Sequence, residues 1–252
     1  GHAARVWGFP PEFMLLTGAV VGMLLGALFG VFAIRRQGIY LAMVTLAFAQ
    51  MVYFLALRAP FTGGEDGLQG IPRGHLFGLI DLNDMDTMYY FLATVFVLVV
   101  MLIVRIVNSP FGQALKAVRD NELRAASLGY DVNMVKLQAF VLSAMLSGLA
   151  GAMKALVFQL VALSDVHWMM SGEVVLMTLL GGAGTLIGPI IGATAIVTMQ
   201  NYLAGFGSWV MMIQGAIFVL CVLLLRGGTI GAELAGAAIT KDRILHNLLA
   251  AQ

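Results

Sequence analysis

The chain has 252 residues, of which 60% are hydrophobic and only 11% are charged. A soluble domain is typically about 45–50% apolar and about 25% charged, so this composition excludes an ordinary soluble domain. A single cysteine excludes a disulfide scaffold within the chain, and a net charge of +1 argues against a nucleic-acid partner. The high hydrophobicity excludes a disordered chain. The class that remains is a polytopic membrane protein.

Long apolar runs predict an all-α transmembrane bundle of about six or seven spans, since a helix needs roughly 17–25 apolar residues to cross a bilayer. The alternating pattern of a transmembrane barrel is missing. Five runs have the required length: 13–34, 38–57, 88–104, 137–163 and 209–225. The stretch 173–204 is also apolar, but glycines and Pro189 interrupt it. It is expected to make two passes, or one re-entrant half-helix and one pass.

Charge placement predicts which loops face the cytoplasm. The loop 105–136 carries five basic residues, namely Arg105, Lys116, Arg119, Arg124 and Lys136. The loop 58–87 is dominated by acids, namely Glu65, Asp66, Asp81, Asp84 and Asp86. By the positive-inside rule, 105–136 is cytoplasmic and 58–87 is periplasmic. The same topology puts Arg35 and Arg36 inside, together with the tail that carries Arg226, Lys241 and Arg243.

The chain begins with Gly1 rather than methionine, and no secretory signal precedes the first span. We therefore expect the sequence to be a fragment that lacks N-terminal material.

Small residues recur at a spacing of four within three of the apolar segments. These are Gly18, Gly22, Gly26 and Gly30, then Ala144, Gly148 and Ala152, then Gly184, Gly188 and Gly192. This spacing puts them on one helix face, where another backbone can approach closely. The face is expected to serve tight packing within one subunit, or else a subunit interface or a moving contact.

The spans lack the groups that catalysis or ion coupling requires. The sequence contains no G-x-S-x-G, H-E-x-x-H or Walker motif, and its four histidines fall in loops or tails. No catalytic residue, metal site or cofactor is therefore predicted for this chain. Lys154 is the only charge well within a span, and Glu173 lies at a boundary. Lys154 is expected to reach water or a wet cavity wall, or else to contact a substrate carboxylate.

Some uncharged polar residues lie within the spans. They are expected to form hydrogen bonds between helices, or else to line a pathway for a neutral or zwitterionic solute. The candidates for such a lining are Thr45, Gln50, Gln159 and Thr178.

Residues 110–128 predict one amphipathic helix of about 18 residues in the cytoplasmic loop. Ser109 suits the N-cap and Gly129 suits the position that closes the helix. The apolar stripe consists of Phe111, Leu115, Val118 and Ala125. Such a helix either lies in the membrane interface or fits a groove in a cytosolic partner. The small residues Ala125, Ala126 and Gly129 favour the groove.

Four sequence blocks, in the same order as in the family, resemble the permeases of branched-chain amino-acid ABC importers, the LivM-type subunit. They are RRQGIYLAMVTLAFAQMV, FTGGEDGLQGIPRG, SPFGQALKAVRDNELRAASLGYDVNMVKLQAFVLSAMLSGLAGA and LLGGAGTLIGPIIGA. Together they cover about residues 35–193. The resemblance implies one importer transmembrane domain over 1–252, in the bacterial inner membrane and in contact with lipid.

The resemblance also implies partners and contact residues. ATPase subunits would hold ATP–Mg, a sister permease would complete the pathway, and a periplasmic binding protein would deliver the substrate. The ATPase contact would involve Arg119, Asp120, Glu122, Ala125, Ala126 and Gly129. The binding protein would meet Thr62, Gly63, Gly64, Asp66 and Gly67, which alternatively form only a glycine-rich turn with solvated acids.

The resemblance leaves alternative functions open. A permease for urea or short amides belongs to the same class. An ATP-independent channel or ion-coupled carrier is the contrasting hypothesis.

Overall fold

A computed structural model describes residues 2, 5, 8–36, 38–76, 80–182, 185–203, 212, 215, 216 and 219. The chain forms two compact units, Gly1–Trp168 and Met169–Gln252, which are described separately below. The predicted span 209–225 is described only at four helical positions. Gly184 and the basic tail residues Arg226, Lys241 and Arg243 lie outside the described residues.

Helices dominate both units. In chain order they are α1 (Pro11–Ala33), α2 (Ile39–Arg58), α3 (Met85–Val107), α4 (Pro110–Asp120), α5 (Glu122–Ser127), α6 (Val132–Phe158), α7 (Trp168–Gly181) and α8 (Gly188–Leu203). Among the described helices, α1, α2, α3 and α6 are long and apolar enough to cross a membrane. They confirm the predicted all-α polytopic fold and correspond to the first four predicted spans.

The first unit is built around the antiparallel pair α1 and α6. A Cβ atom at Gly22 would lie 2.5 Å from the carbonyl oxygen of Ala144, and one at Gly18 would lie 2.7 Å from the Cβ of Ala152. Gly148 faces Gly18 and Gly22 across the same contact. The first two predicted small-residue faces therefore pack against each other within one subunit. We call this contact the glycine seam.

The loop of residues 59–84, which we call the outer loop after its predicted sidedness, covers one end of this pair. It contains two short 3₁₀ turns and the two-residue strands β1 (Leu68–Gln69), β2 (His75–Leu76) and β3 (Ile80–Asp81). β1 pairs with β4 (Leu160–Val161), which directly follows α6, and β2 pairs with β3. Hence the loop lies at the same end of the pair as the C-terminus of α6.

A small core joins the outer loop to the helix ends. Ile71 and Leu82 of the loop are fully buried, and they cluster with Met14 of α1, Met88 of α3 and Leu156 of α6. Many large apolar side chains elsewhere on α1, α2 and α3 are exposed, as expected where lipid rather than water surrounds the helix.

The second unit contains a helical hairpin. α7 and α8 are separated by a short glycine-containing connection, and Gly181 and Gly192 allow the two backbones to touch. α7 has 14 residues, about 21 Å at 1.5 Å per residue, which is shorter than a hydrocarbon core of about 30 Å. The region 173–204 is thus two helices, as either topology predicted from sequence requires.

Candidate functional site

The segment between α3 and α6, residues 108–131, forms a compact helical region that we call the coupling region. Its first helix turns sharply away from α3. Ser109 caps α4 by accepting a hydrogen bond on Oγ from the Gly112 N–H at 3.3 Å, and its own hydroxyl donates to Ile106 O at 2.6 Å. A Cβ at Gly112 would collide with the backbone carbonyl of Val107, so this turn requires glycine. Gly112 was not predicted from the sequence as a required residue, although it is the glycine of the block SPFG.

The prediction of a single helix over 110–128 is wrong. α4 ends at Asp120 and a separate helix, α5, begins at Glu122. Asn121 between them is extended, with φ −161° and ψ 106°, and its Oδ1 accepts a hydrogen bond from the Arg124 N–H at 3.0 Å. Asparagine is among the best N-cap residues because its side chain satisfies a free helix N–H. This local bond favours starting a new helix over continuing α4.

The predicted apolar stripe does form the buried side of this region. Val118 and Ala125 are buried together with Ala114 and with Val135 of α6. The predicted stripe residues Phe111 and Leu115 pack against this cluster and are partly buried. Consequently α4, α5 and the first turns of α6 share one core.

The candidate charged residues form two ion pairs of different kinds. Arg119 Nη2 lies 3.3 Å from Asp120 Oδ1, and both side chains are about three-quarters exposed. Lys136 Nζ of α6 lies 2.6 Å from Glu122 Oε1, and these side chains are only 27% and 41% exposed. The second pair joins α5 to α6, whereas the first is a surface pair whose contribution to stability is small.

Two large aliphatic side chains are exposed on the coupling region, among polar and charged neighbours. Leu123 is 85% exposed and Leu128 is 70% exposed, and Ala126 between them is also exposed. Gly129 closes the segment with φ +90°, a conformation that favours glycine, and its N–H donates to Ala126 O. Of the three small residues predicted for the ATPase contact, Ala126 and Gly129 are exposed, whereas Ala125 is buried in the core of the coupling region.

In the outer loop, the candidate residues form a turn fixed by backbone geometry. The Thr62 hydroxyl donates to Ala59 O at 2.6 Å. Gly63, Gly64 and Gly67 all have positive φ, and a Cβ at Gly67 would collide with the backbone carbonyl of Val161. Asp66 is exposed on this turn. The glycines thus let the loop approach the strand that follows α6.

Of the candidate pathway residues, Thr45, Gln50 and Gln159 lie in the first unit and Thr178 lies in the second. The hydroxyls of Thr45 and Thr178 donate to carbonyls of their own helices, at Leu41 and Val174. Gln159 ends α6 with φ +53°, and its side chain is exposed. Gln50 is half-buried on α2. Among the described residues of the first unit, no hydrogen bond joins the side chains of Thr45, Gln50 and Gln159 to one another.

Lys154, the one charge predicted well inside a span, has a partner. Its Nζ lies 2.7 Å from Oδ1 of Asp165, in the short turn Leu163–Val166 that follows β4. The two side chains are 38% and 26% exposed. In the second unit, Gln200 Nε2 donates a short hydrogen bond to Glu173. Within the described ranges, no group of three or more metal-ligating side chains is placed to hold an ion.

Comparison with known proteins adds the family. Residues 3–222 match the family described as branched-chain amino acid transport system, permease component. The chain is 30% identical to the high-affinity branched-chain amino acid transport system permease proteins LivM of Salmonella typhimurium and Escherichia coli, over 82% of this chain and 53% of each relative. It is 29% identical to the ribose import permease protein RbsC of Bacillus subtilis, over 71% of this chain and 58% of that protein.

The chain spans about half the length of the LivM relatives that it matches. No solved structure matches it significantly. Its long apolar helices and its relatives identify it as a multi-pass protein of the bacterial inner membrane. The family match covers most of the chain, and the chain therefore belongs to the permease family described as branched-chain amino acid transport system, permease component.

Proposed function

We propose that the chain is the permease subunit of an ATP-driven importer that carries branched-chain or related small amino acids across the inner membrane. ATP–Mg is held by partner ATPase subunits, and this chain binds no cofactor itself. A sister permease completes the pathway, and a periplasmic binding protein delivers the substrate. The family membership and the LivM relatives support this proposal.

The observation that carries the proposal is the exposed apolar surface of the coupling region. Leu123 and Leu128 are among the most exposed large apolar side chains of the described residues, and they lie between the long helices α3 and α6 rather than on one of them. This segment is predicted to lie outside the bilayer, where exposed large apolar side chains are candidates for contact with another protein. Ala126 lies between the two leucines in the chain, and Gly129 follows Leu128. The small size of Ala126 and Gly129 permits close approach by a partner. An ATPase groove fits this surface.

The charged residues have separate roles in this proposal. Arg119 and Asp120 lie at the exposed end of α4, where they would meet polar residues at the rim of the ATPase groove. Glu122 is bonded to Lys136 and orients α5 relative to α6. Movement of the ATPase would shift the coupling region as one piece, because Val118 and Ala125 share a core with α6.

On the opposite side, the turn Thr62–Gly67 is the proposed contact for the binding protein. The hydrogen bond from the Thr62 hydroxyl to Ala59 O and the packing of Gly67 on the Val161 carbonyl hold the shape of this turn before binding, so less conformational entropy is lost on contact. Asp66 is exposed there and is available for a basic group on the partner.

The substrate class rests on the relatives. Two of them are named for branched-chain amino acids and one for ribose, so the family includes more than one cargo. Side chains such as Thr45, Gln50, Gln159 and Thr178 would contact a small zwitterion through hydrogen bonds within the pathway. Urea and short amides are the alternative cargo, which a binding assay on the partner binding protein would reveal.

The test is reconstitution of the complete permease pair in liposomes, with and without the ATPase and the binding protein. We expect uptake of radiolabelled leucine only when ATP and both partners are present. The Leu123→Asp variant should abolish uptake and ATPase binding, because it puts a charge on the apolar contact. Leu46→Ala, at an exposed position on the membrane helix α2, is the matched control and should transport normally. Uptake without ATP would overturn the proposal in favour of a channel or carrier.

A further inference from the structure

Helix α6 is attached to a loop at each of its two ends. At the cytoplasmic end, Val135 shares the buried cluster of the coupling region and Lys136 pairs with Glu122 at 2.6 Å. At the outer end, the carbonyl of Val157 accepts a hydrogen bond from Arg73 Nη2 at 2.9 Å. The carbonyl of Gln159, two residues further along the chain, accepts one from the Ile71 N–H at 3.2 Å.

Between these attachments, α6 is continuous. It has 27 residues, which corresponds to about 40 Å, and it contains no proline. The glycine seam holds its middle against α1, backbone to backbone. A helix of this kind moves as a rigid body, so a displacement applied at one end reaches the other.

Arg73 makes the attachment of the outer loop specific. Val157 lies in the last turn of α6, where carbonyls have no partner within the helix, and a positive charge there also interacts favourably with the helix dipole. Arg73 Nε is buried and has no partner among the described residues, so the bond to Val157 is the described anchor of this guanidinium. Two positions before Arg73, Ile71 is fully buried in the core that joins the loop to α6.

The outer loop also carries the proposed contact with the binding protein. Only a short stretch of chain separates this contact from Arg73. Gly67 at the end of that contact packs on the Val161 carbonyl, and the next residue, Leu68, pairs with Val161 in the β1–β4 ladder. A force on the turn Thr62–Gly67 therefore reaches the end of α6 through Gly67, Leu68 and Arg73.

We propose that α6 transmits docking of the binding protein to the coupling region, and that Arg73 is the positioning residue that ties the outer loop to this helix. This inference rests on the proposed function, because it needs a binding protein outside and an ATPase inside. Arg73 acts through the Val157 carbonyl and contacts neither partner. Its role is to make the outer loop and α6 move together.

The experiment uses the complete reconstituted transporter and compares ATPase activity with and without the substrate-loaded binding protein. We expect Arg73→Gln to reduce the stimulation by the binding protein at least about fivefold, the lower end of typical coupling between sites. Basal ATPase activity should be unchanged, because the coupling region is intact. Arg73→Lys should keep part of the stimulation, since an ammonium can also donate to the Val157 carbonyl. Arg58→Gln, at an exposed arginine that ends α2, is the matched control.

A rescue variant separates coupling from folding. Leu68 and Val161 are direct partners across β1 and β4, close enough for a disulfide between cysteines placed there. In an Arg73→Gln chain with Cys221→Ala, Leu68→Cys and Val161→Cys, oxidation should restore the stimulation and reduction should remove it again.

The possible failures are distinguishable. If Arg73→Gln responds to the binding protein like the parent protein, the role of Arg73 is refuted while the proposed function stands. If basal and stimulated activity fall together and oxidation rescues neither, Arg73 serves folding alone and the inference is overturned. If the parent transporter shows no ATP-dependent response to a binding protein, the proposed function and this inference both fail.

Discussion

Oε1 of Glu122 lies 2.6 Å from Nζ of Lys136, which joins the first residue of α5 to the second turn of α6. We expect Glu122→Lys to lower ATP-driven uptake, because two ammonium groups would then repel each other at this junction. The double variant Glu122→Lys with Lys136→Glu should recover most of the uptake, since the pair is restored with opposite polarity. Membrane insertion should be normal in both, as judged by protease protection of the loops.

Arg119→Glu provides the comparison for this pair. Its partner Asp120 is equally exposed, so the reversal should impair ATPase binding through the rim contact without weakening the coupling region itself. If the exchanged pair fails to recover uptake while Arg119→Glu has no effect, then Glu122 contacts the ATPase directly and its pairing with Lys136 is secondary.

The glycine seam predicts opposite effects for two glycines of α6. A Cβ at Gly148 would collide with the backbone of Gly18, whereas one at Gly151 would have nothing within 4 Å. We expect Gly148→Ala to destabilise the detergent-solubilised protein by about 1–3 kcal/mol, the usual cost of overpacking. Gly151→Ala should melt at or above the parental temperature, because alanine favours a helix more than glycine does. Equal melting temperatures for the two variants would contradict the packing of α1 on α6.

Asn121 is expected to be required for the break between α4 and α5. Asn121→Ala removes the cap that accepts the Arg124 N–H, which costs about 1 kcal/mol, and alanine also allows α4 to continue. The rates of amide hydrogen exchange at residues 122–128 should then change in the assembled transporter, and ATP-driven uptake should fall. Asn121→Asp keeps a capping oxygen and should behave like the parent protein. Parental exchange and uptake in Asn121→Ala would show that the break has no role in transport.

The ion pair of Lys154 and Asp165 can be tested by a double-mutant cycle. Either Lys154→Met or Asp165→Asn leaves a half-buried charge without its partner, so each single variant should lower the melting temperature. The double variant should be more stable than the sum of the two effects predicts. If the effects simply add, the pair contributes nothing to stability, and Lys154 is free to serve the substrate carboxylate as the sequence alternatively suggested.

The positions of the spans were predictable because hydropathy alone decides which segments enter a bilayer. The run 13–34 corresponds to Pro11–Ala33, and 38–57 to Ile39–Arg58. The predicted span 137–163 is shifted relative to α6, which ends at Phe158, because the residues just after the helix are also apolar. Hydropathy cannot detect that Gln159 adopts a left-handed conformation, which is uncommon for a residue other than glycine.

The details of the candidate sites were less predictable, because they depend on contacts between residues far apart in the chain or on a single local bond. The apolar stripe through Val118 and Ala125 predicts their common burial, yet the same spacing conceals the break at Asn121. The partner of Lys154 is brought near only when the chain reverses after α6. Arg73 lies 84 positions from the carbonyl that it binds, and no local pattern indicates that pairing.

The seam between α1 and α6 also restricts how this transporter can diversify. At Gly18, Gly22 and Gly148 there is no side chain to exchange, and every substitution adds atoms where a backbone already lies. Mutation therefore cannot adjust this contact in small steps, as it can adjust a contact between leucines. A new cargo preference has to arise elsewhere on the protein, while the spacing between these two helices stays unchanged.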